Sequence, residues 1–248
     1  MTRLAAATVM IVCLVSVSAC TPTSHEAVTQ AAAITTAPET SADNRLFRAQ
    51  DLGLLDATDR DRWQKPDQIM DALKIAEGSV VADIGAAGGW FTIRLARRVE
   101  QNGRVYAVDI QAVMLEAIKR RVQRENLSRI VETIEGTETD PKLPAGALDA
   151  ALIVDAYREM DDPAVPAQIV TLLKSINRSL KPQGCLGVVD FEQGGGGPGP
   201  GPQERVDPEV VTRAAAAAGL RLLKREAVPP FQFLLIFGKA ASPSRCAA

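Results

Sequence analysis

From Ser79 onward the chain alternates short apolar runs with stretches whose apolar residues recur every three or four positions. The runs predict strands at Ser79–Ile84, Arg104–Asp109, Ile130–Ile134, Leu148–Val154, Leu186–Phe191, Arg221–Arg225 and Phe231–Phe237. The periodic stretches predict helices at Trp90–Val99, Ala112–Asn126, Pro166–Leu180 and Pro208–Ala218. Strands that are apolar on both sides, separated by helices, imply a parallel sheet covered on both faces. The last two strands are joined by too few residues for a parallel crossover, so they must form an antiparallel hairpin. The expected fold class is therefore α/β: a seven-stranded, mostly parallel, Rossmann-like sheet with a terminal antiparallel hairpin and helices on both faces. Upstream, Arg45–Trp63 reads as one or two short helices with Leu46, Phe47, Leu52, Leu54 and Leu55 as apolar contacts. Pro66 opens a further helix, with Ile69, Met70, Leu73 and Ile75 as its buried stripe and Gly78 as its end.

The first 43 residues follow neither pattern. A charged start, Met1-Thr2-Arg3, precedes an apolar run from Leu4 to Val17 that is short for a membrane span and right for the core of a signal peptide. The run ends in Val17-Ser18-Ala19-Cys20, which resembles a bacterial lipobox. That resemblance implies cleavage before Cys20 and a lipid on its thiol, which would anchor the protein to a membrane of the cell envelope, on its periplasmic or extracytoplasmic face. Residues 20–43 are rich in Ala, Thr, Ser and Pro and read as a disordered tether. The expected organisation is a signal peptide at 1–19, the tether at 20–43, a folded domain at 44–240 and a tail at 241–248.

Composition narrows the chemistry. The formal net charge is −2 and aromatic residues make up 4%, which argues against nucleic acid as a partner. The one histidine, His25, lies in the tether, so a histidine general base, a Ser-His-Asp triad and a histidine metal site are excluded from the folded part; no metal is expected.

The segment that carries chemistry is Val80-Val81-Ala82-Asp83-Ile84-Gly85-Ala86-Ala87-Gly88-Gly89-Trp90-Phe91. A strand ends in an acid, and a glycine-rich turn then enters a helix. Glycines let the backbone approach a ligand, and the helix start offers free N–H donors to a carboxylate. Asp109 ends the next strand, where an acid can take both hydroxyls of a ribose. A tight turn without a ligand would read similarly; a nicotinamide site is disfavoured because the glycines do not give GxGxxG.

These features resemble motif I and the acidic motif II of class I S-adenosylmethionine (SAM)-dependent methyltransferases, with Ala87 where the family most often has glycine. Asp61-Arg62-Trp63-Gln64-Lys65-Pro66 and Gly136-Thr137-Glu138-Thr139-Asp140-Pro141-Lys142-Leu143-Pro144 resemble a poorly characterised bacterial subgroup, and the likeness covers roughly residues 45 to 240. It implies SAM as cofactor, held by Asp83, Gly85, Ala86, Gly88, Gly89, Asp109 and Ile110, with Thr137 and Glu138 at the adenine. It places Val154-Asp155-Ala156-Tyr157-Arg158-Glu159 at the tip of strand four, facing the methyl group, so Asp155 and then Tyr157 are the candidates to orient the acceptor or take its proton. The alternative is that Tyr157 packs over the cofactor and Asp155 caps a turn; Trp63 could line the pocket or simply pack. The implied function is methyl transfer to a small molecule or envelope component. The alternative is a silent envelope protein that keeps the fold as a binding module.

Two further features bear on that choice. Residues 193–202, Gln-Gly-Gly-Gly-Gly-Pro-Gly-Pro-Gly-Pro, follow strand five where relatives carry a substrate-covering segment. They have no apolar side chains to pack, so the reading is a flexible loop and a weakened lid. In a fold of this kind the last strand runs antiparallel beside strand five, bringing its end near Cys185. Cys246 follows within reach, and outside the cytoplasm the two can form a disulfide.

Overall fold

The structure is a computed structural model, described here over residues 46–194, 196–227 and 230–247. The expected signal peptide and tether, with Cys20 and His25, lie outside the described residues. Strand β1 (Val80–Ile84) is flanked on one side by β2 (Arg104–Asp109) and β3 (Val131–Glu135), and on the other by β4 (Leu148–Val154) and β5 (Leu180–Phe191). These five run parallel. Beyond β5 come β7 (Gln232–Lys239) and then β6 (Leu220–Glu226), with β7 antiparallel to both neighbours. Among the described residues the sheet thus has seven strands in the order β3-β2-β1-β4-β5-β7-β6. The chain leaves β1 toward β2 but places β4 on the other side, so a crevice opens past Ile84 between the tips of β1 and β4.

Burial on both faces explains the nearly unbroken apolar strands. On one face, Ile69, Met70 and Leu73 pack with Phe91 and Leu95 against Val81, Leu152 and Val189. Those residues come from helix α2 (Pro66–Ala72), its C-terminal cap and helix α3 (Trp90–Val99). On the other face, Ile169, Leu172 and Ile176 of α6 (Ala167–Ser179) and Val211 and Ala215 of α7 (Pro208–Ala217) cover Ile153, Val188, Phe233 and Phe237. Helix α4 (Ala112–Arg124) adds Leu115, Ile118 and Val122 to a smaller cluster with Ile93.

Four details depart from the pattern read in the sequence. Helix α2 stops at Ala72, not at Gly78, and Lys74 at φ 54° turns the chain so that Leu73 and Ile75 both stay buried. The segment before it is a 3-10 turn run (Ala49–Asp56) and a short helix α1 (Arg60–Gln64), and Leu54 is 75% exposed instead of packed. The described part of the tail, residues 241–247, is packed: Arg245–Ala247 form a 3-10 turn, and the expected bond to Cys185 holds Cys246 fully buried against β5. The Gly/Pro loop packs, but not through side chains of its own. The Arg205 guanidinium donates to the carbonyls of Glu192, Gly196, Pro198 and Pro200 while lying 5.4 Å from the centre of the Phe191 ring. A loop without apolar side chains was ordered by its own backbone acceptors around a single buried cation.

Candidate active site

The crevice at the tips of β1 and β4 widens into a cleft with about 1270 Å³ of empty space, part of it open to solvent. Its floor is the turn after β1. Gly85 and Ala86 both donate to the carbonyl of Val108, at 2.9 and 3.0 Å, which ties the turn to β2. Gly85 has φ +74°, and a Cβ there would come within 2.8 Å of Ala156 and of Met160, so only glycine fits. Ala87 sits at φ 46°, a left-handed conformation costly for alanine, which gives a physical reason for the glycine more usual at that position.

Asp109 stands at the tip of β2 with its carboxylate held by the backbone: the amides of Ala87 and Gln111 donate to it, each at 2.9 Å. Burial raises its pKa, and those amide bonds oppose the rise. Asp83 is almost fully buried and accepts from the Thr92 hydroxyl at 2.6 Å. Burial pushes its pKa up to about 6, although Thr92 and the Arg60 guanidinium pull it back. Asp83, Gly85, Ala86, Gly88, Asp109, Ile110, Thr137 and Glu138 all line the cleft. Gly89 does not; it starts α3 at φ +77° with Ile118 against it, a packing position.

The 3-10 run and the residues just before it close the cleft from above. Leu46, Phe47, Leu52 and Leu55 line it, and Leu52 rests on Gly88, where an added Cβ would meet it at 3.1 Å. The Phe47 amide donates to Glu159 at 3.0 Å, its carbonyl accepts from Gln111 at 3.1 Å, and Arg121 reaches Asp56 at 2.8 Å. Leu46, Leu52 and Leu55, read from the sequence as apolar contacts, thus roof the cleft, whereas Leu54 is exposed.

The two catalytic candidates part company. Asp155, at φ 58° just past β4, lines the cleft. Tyr157 does not reach it: as the first residue of helix α5 (Tyr157–Met160), its ring turns into the core, where it is wholly buried. Its hydroxyl has no partner there and burial drives its pKa upward, so it is a packing residue and not a base. Trp63 likewise packs, 5.9 Å from the Phe191 ring.

Around Asp155 the structure builds a closed ring that sequence reading missed. Arg60 donates to Asp155 at 2.9 Å and to the Gln64 side chain at 3.1 Å. Gln64 donates to Gln232 at 2.6 Å, and Gln232 donates back to Asp155. Arg60 is further fixed by the Leu55 carbonyl at 2.9 Å and by the Trp90 ring, whose centre lies 4.3 Å from the Arg60 guanidinium and 3.4 Å from that of Arg94. Burial lowers the Arg60 pKa, and Asp155 counters it. Burial raises the pKa of Asp155, offset mainly by Arg60. Arg60 and Gln64 are neighbours on α1, but Asp155 and Gln232 lie 95 and 168 residues further on, so no local signal could have brought the four together.

A seven-stranded sheet with this order, an acid-glycine turn after β1 and an acid at the tip of β2 define the class I methyltransferase fold. In keeping with it, residues 81–184 match the model of a methyltransferase domain. The chain is 30% identical over 144 residues, 58% of its length, to a 2-phytyl-1,4-naphtoquinone methyltransferase of Trichormus variabilis, covering 60% of that protein. It is 27% identical over 132 residues to a demethylmenaquinone methyltransferase of Geobacillus stearothermophilus, covering 53% of each chain. The chain thus spans little more than half the length of these relatives. A solved structure of a SAM-dependent methyltransferase from Aquifex aeolicus superposes with a TM-score of 0.71 at 24% identity, covering 77% of this chain and 98% of that one. The [4+2]-cyclase SpnF superposes at 0.58 with 18% identity, covering 73% and 81%. These likenesses show the fold.

The cleft fits SAM. Six carboxylates line it (Asp56, Asp83, Asp109, Glu138, Asp155 and Glu159) against one cation, Arg60, which favours a ligand carrying a sulfonium and an ammonium. Asp83 and the turn from Gly85 to Gly88 would hold the methionine end, and Asp109 the ribose.

Proposed function

We propose that this chain is a SAM-dependent methyltransferase, lipid-anchored in the cell envelope through Cys20, acting on a small molecule or an envelope component. The observation that carries the catalytic reading is the placement of Asp109. Its carboxylate is fixed by the amides of Ala87 and Gln111 at the mouth of the glycine turn, in the same cleft as buried Asp83. A carboxylate so fixed is prepared to accept two vicinal hydroxyls without reorganising. When bound, SAM supplies a methyl group activated as a sulfonium; the chain supplies orientation and exclusion of water. The relatives' names put naphthoquinones among the first acceptors to try, in their reduced dihydroxy form, since a quinone is itself electrophilic. The ordering of the Gly/Pro loop around Arg205 removes the main sequence argument for a silent protein.

The anchor reading rests on the Val17-Ser18-Ala19-Cys20 pattern. The pairing of Cys185 with Cys246 supports an oxidising compartment. Calorimetry of the full chain in detergent with SAM is the test. We expect saturable binding that Asp109→Ala abolishes; no heat at millimolar SAM would overturn the enzyme reading.

A further inference from the structure

The ring around Asp155 is more than scaffolding, because two of its members face the cleft. Arg60 and Asp155 both line it, beside the residues that would hold the cofactor and just past the tip of β1. Arg60 is the one cation among the described residues that line the cleft. A guanidinium has five N–H donors. Three of those on Arg60 are named above: to Gln64, to the Leu55 carbonyl and to Asp155. Its plane is fixed by Trp90, and Asp155 is fixed by Gln232. The cleft therefore presents a preorganised hydrogen-bond donor with a full positive charge directly beside a proton acceptor.

We propose that Arg60 and Asp155 form the acceptor subsite and take an acidic hydroxyl, a phenol or an enol, holding it as its oxyanion; the inference rests on the methyltransferase reading. The pair is close to neutral as a whole. A carboxylate or phosphate acceptor would be repelled by Asp155, and an ammonium by Arg60. A neutral hydroxyl compound can donate to Asp155 and accept from Arg60 at once. The step balances in charge and atoms: the acceptor O–H bond breaks, its proton passes to a carboxylate oxygen of Asp155, and the electron pair stays on the acceptor oxygen. Arg60 then exchanges one anionic partner, Asp155, for another. Only an acidic hydroxyl yields its proton to a carboxylate, which excludes simple alcohols. Burial raises the pKa of Asp155, and that brings it nearer to such hydroxyls. No histidine is needed, in keeping with a folded part that has none.

The probe is 4-nitrophenol, whose phenolate is coloured and whose phenol is not, added to the full chain in detergent with S-adenosylhomocysteine present. We expect saturable binding in the phenolate form, with an apparent pKa about one unit or more below that of the free compound, a tenfold gain in ionisation. Asp155→Asn removes the competing anion and should bind the phenolate severalfold more tightly. Arg60→Gln leaves a buried site without a cation and should abolish the downward shift. Asp83, Asp56 and Arg94 act on Arg60, and Asp190 feels Asp155; both variants keep all four, so differences from the wild type isolate the pair. No saturable binding, no downward shift in the wild type, or unchanged behaviour in Asp155→Asn would each overturn the proposal, as would an unchanged shift in a folded Arg60→Gln. Where Arg60→Gln fails to fold, the wild type and Asp155→Asn decide. SAM calorimetry on the same preparations separates the two ideas. SAM bound without a phenolate shift rejects the subsite alone, whereas no SAM binding rejects the methyltransferase reading beneath it.

Discussion

Asp83 shows at the scale of one residue what a binding site costs the fold. Its carboxyl titrates near 3.8 when solvated and near 6 when folded, because burial disfavours the charge. Below about pH 4 it is protonated in both states and contributes nothing to the balance. Between pH 4 and 6 the unfolded chain ionises first, so stability falls as pH rises, and above about 6 the folded state carries the full penalty of about 3 kcal/mol. Asp83→Asn should therefore raise the melting temperature of the ligand-free protein by roughly 6–12 °C at pH 7.5, and not at pH 4. The same change should weaken SAM binding at least tenfold by calorimetry. A variant neither stabilised at pH 7.5 nor impaired in binding would contradict this account. Asp83, Gly85 and Asp109 were legible in the sequence because the chemistry is local: a strand end, a turn and a helix start. Asp155 was legible by position, but its partners were not. Arg60 meets Asp155 across 95 residues and Gln64 meets Gln232 across 168, which only the closed sheet brings together. Tyr157 was misread because one residue of helix after the strand tip is enough to turn a side chain from the cleft into the core.

At the scale of elements, periodicity located every strand to within a few residues except the start of β5. That strand begins at Leu180, six residues before the apolar run, and pairs with Leu148 across a shift of register. Lys181-Pro182-Gln183-Gly184 carries no strand signal, so the extension depends on its neighbour β4 and not on its own composition. The 3-10 run over the cleft was foreseen only as a short helix, because a leucine-rich segment reads the same whether it faces a core or roofs a cavity. The C-terminal turn is the clearest gain from structure. Cys246 closes a loop 61 residues long onto β5 and seals the face covered by Leu73. Constraining a loop of that length in the unfolded chain gives about 2–4 kcal/mol. Cys246→Ser should lower the melting temperature by about 4–16 °C in oxidising buffer, given 2–4 °C per kcal/mol for a domain of this size. Reductant should bring the wild type down to the variant and leave the variant unmoved. A wild type indifferent to reductant would show that the bridge does not stabilise the domain.

At the scale of the whole molecule, the proposed anchor and the disulfide make linked claims about one compartment. A signal that exports the chain delivers it where thiols oxidise, whereas the same domain kept in the cytoplasm meets a reducing thiol pool. Lipidation is a separate matter, because it requires Cys20 and not the fold. Three forms therefore separate the claims in a bacterial host: the full chain, Cys20→Ala, and a chain starting after residue 19 that stays in the cytoplasm. The full chain should fractionate with membranes and resist alkylation at Cys185 and Cys246 without reductant. Cys20→Ala should leave the membrane fraction yet stay protected from alkylation, since export and oxidation do not need the lipid. The cytoplasmic form should take up two alkyl groups on those cysteines when denatured, as read by mass, and should melt where reduced wild type does. Membrane retention of Cys20→Ala would reject the lipid, and two free thiols in the full chain would reject the oxidising compartment. Each result leaves the other claim standing, because the cleft, the sheet and the bridge all lie within residues 46–247 and owe nothing to the anchor.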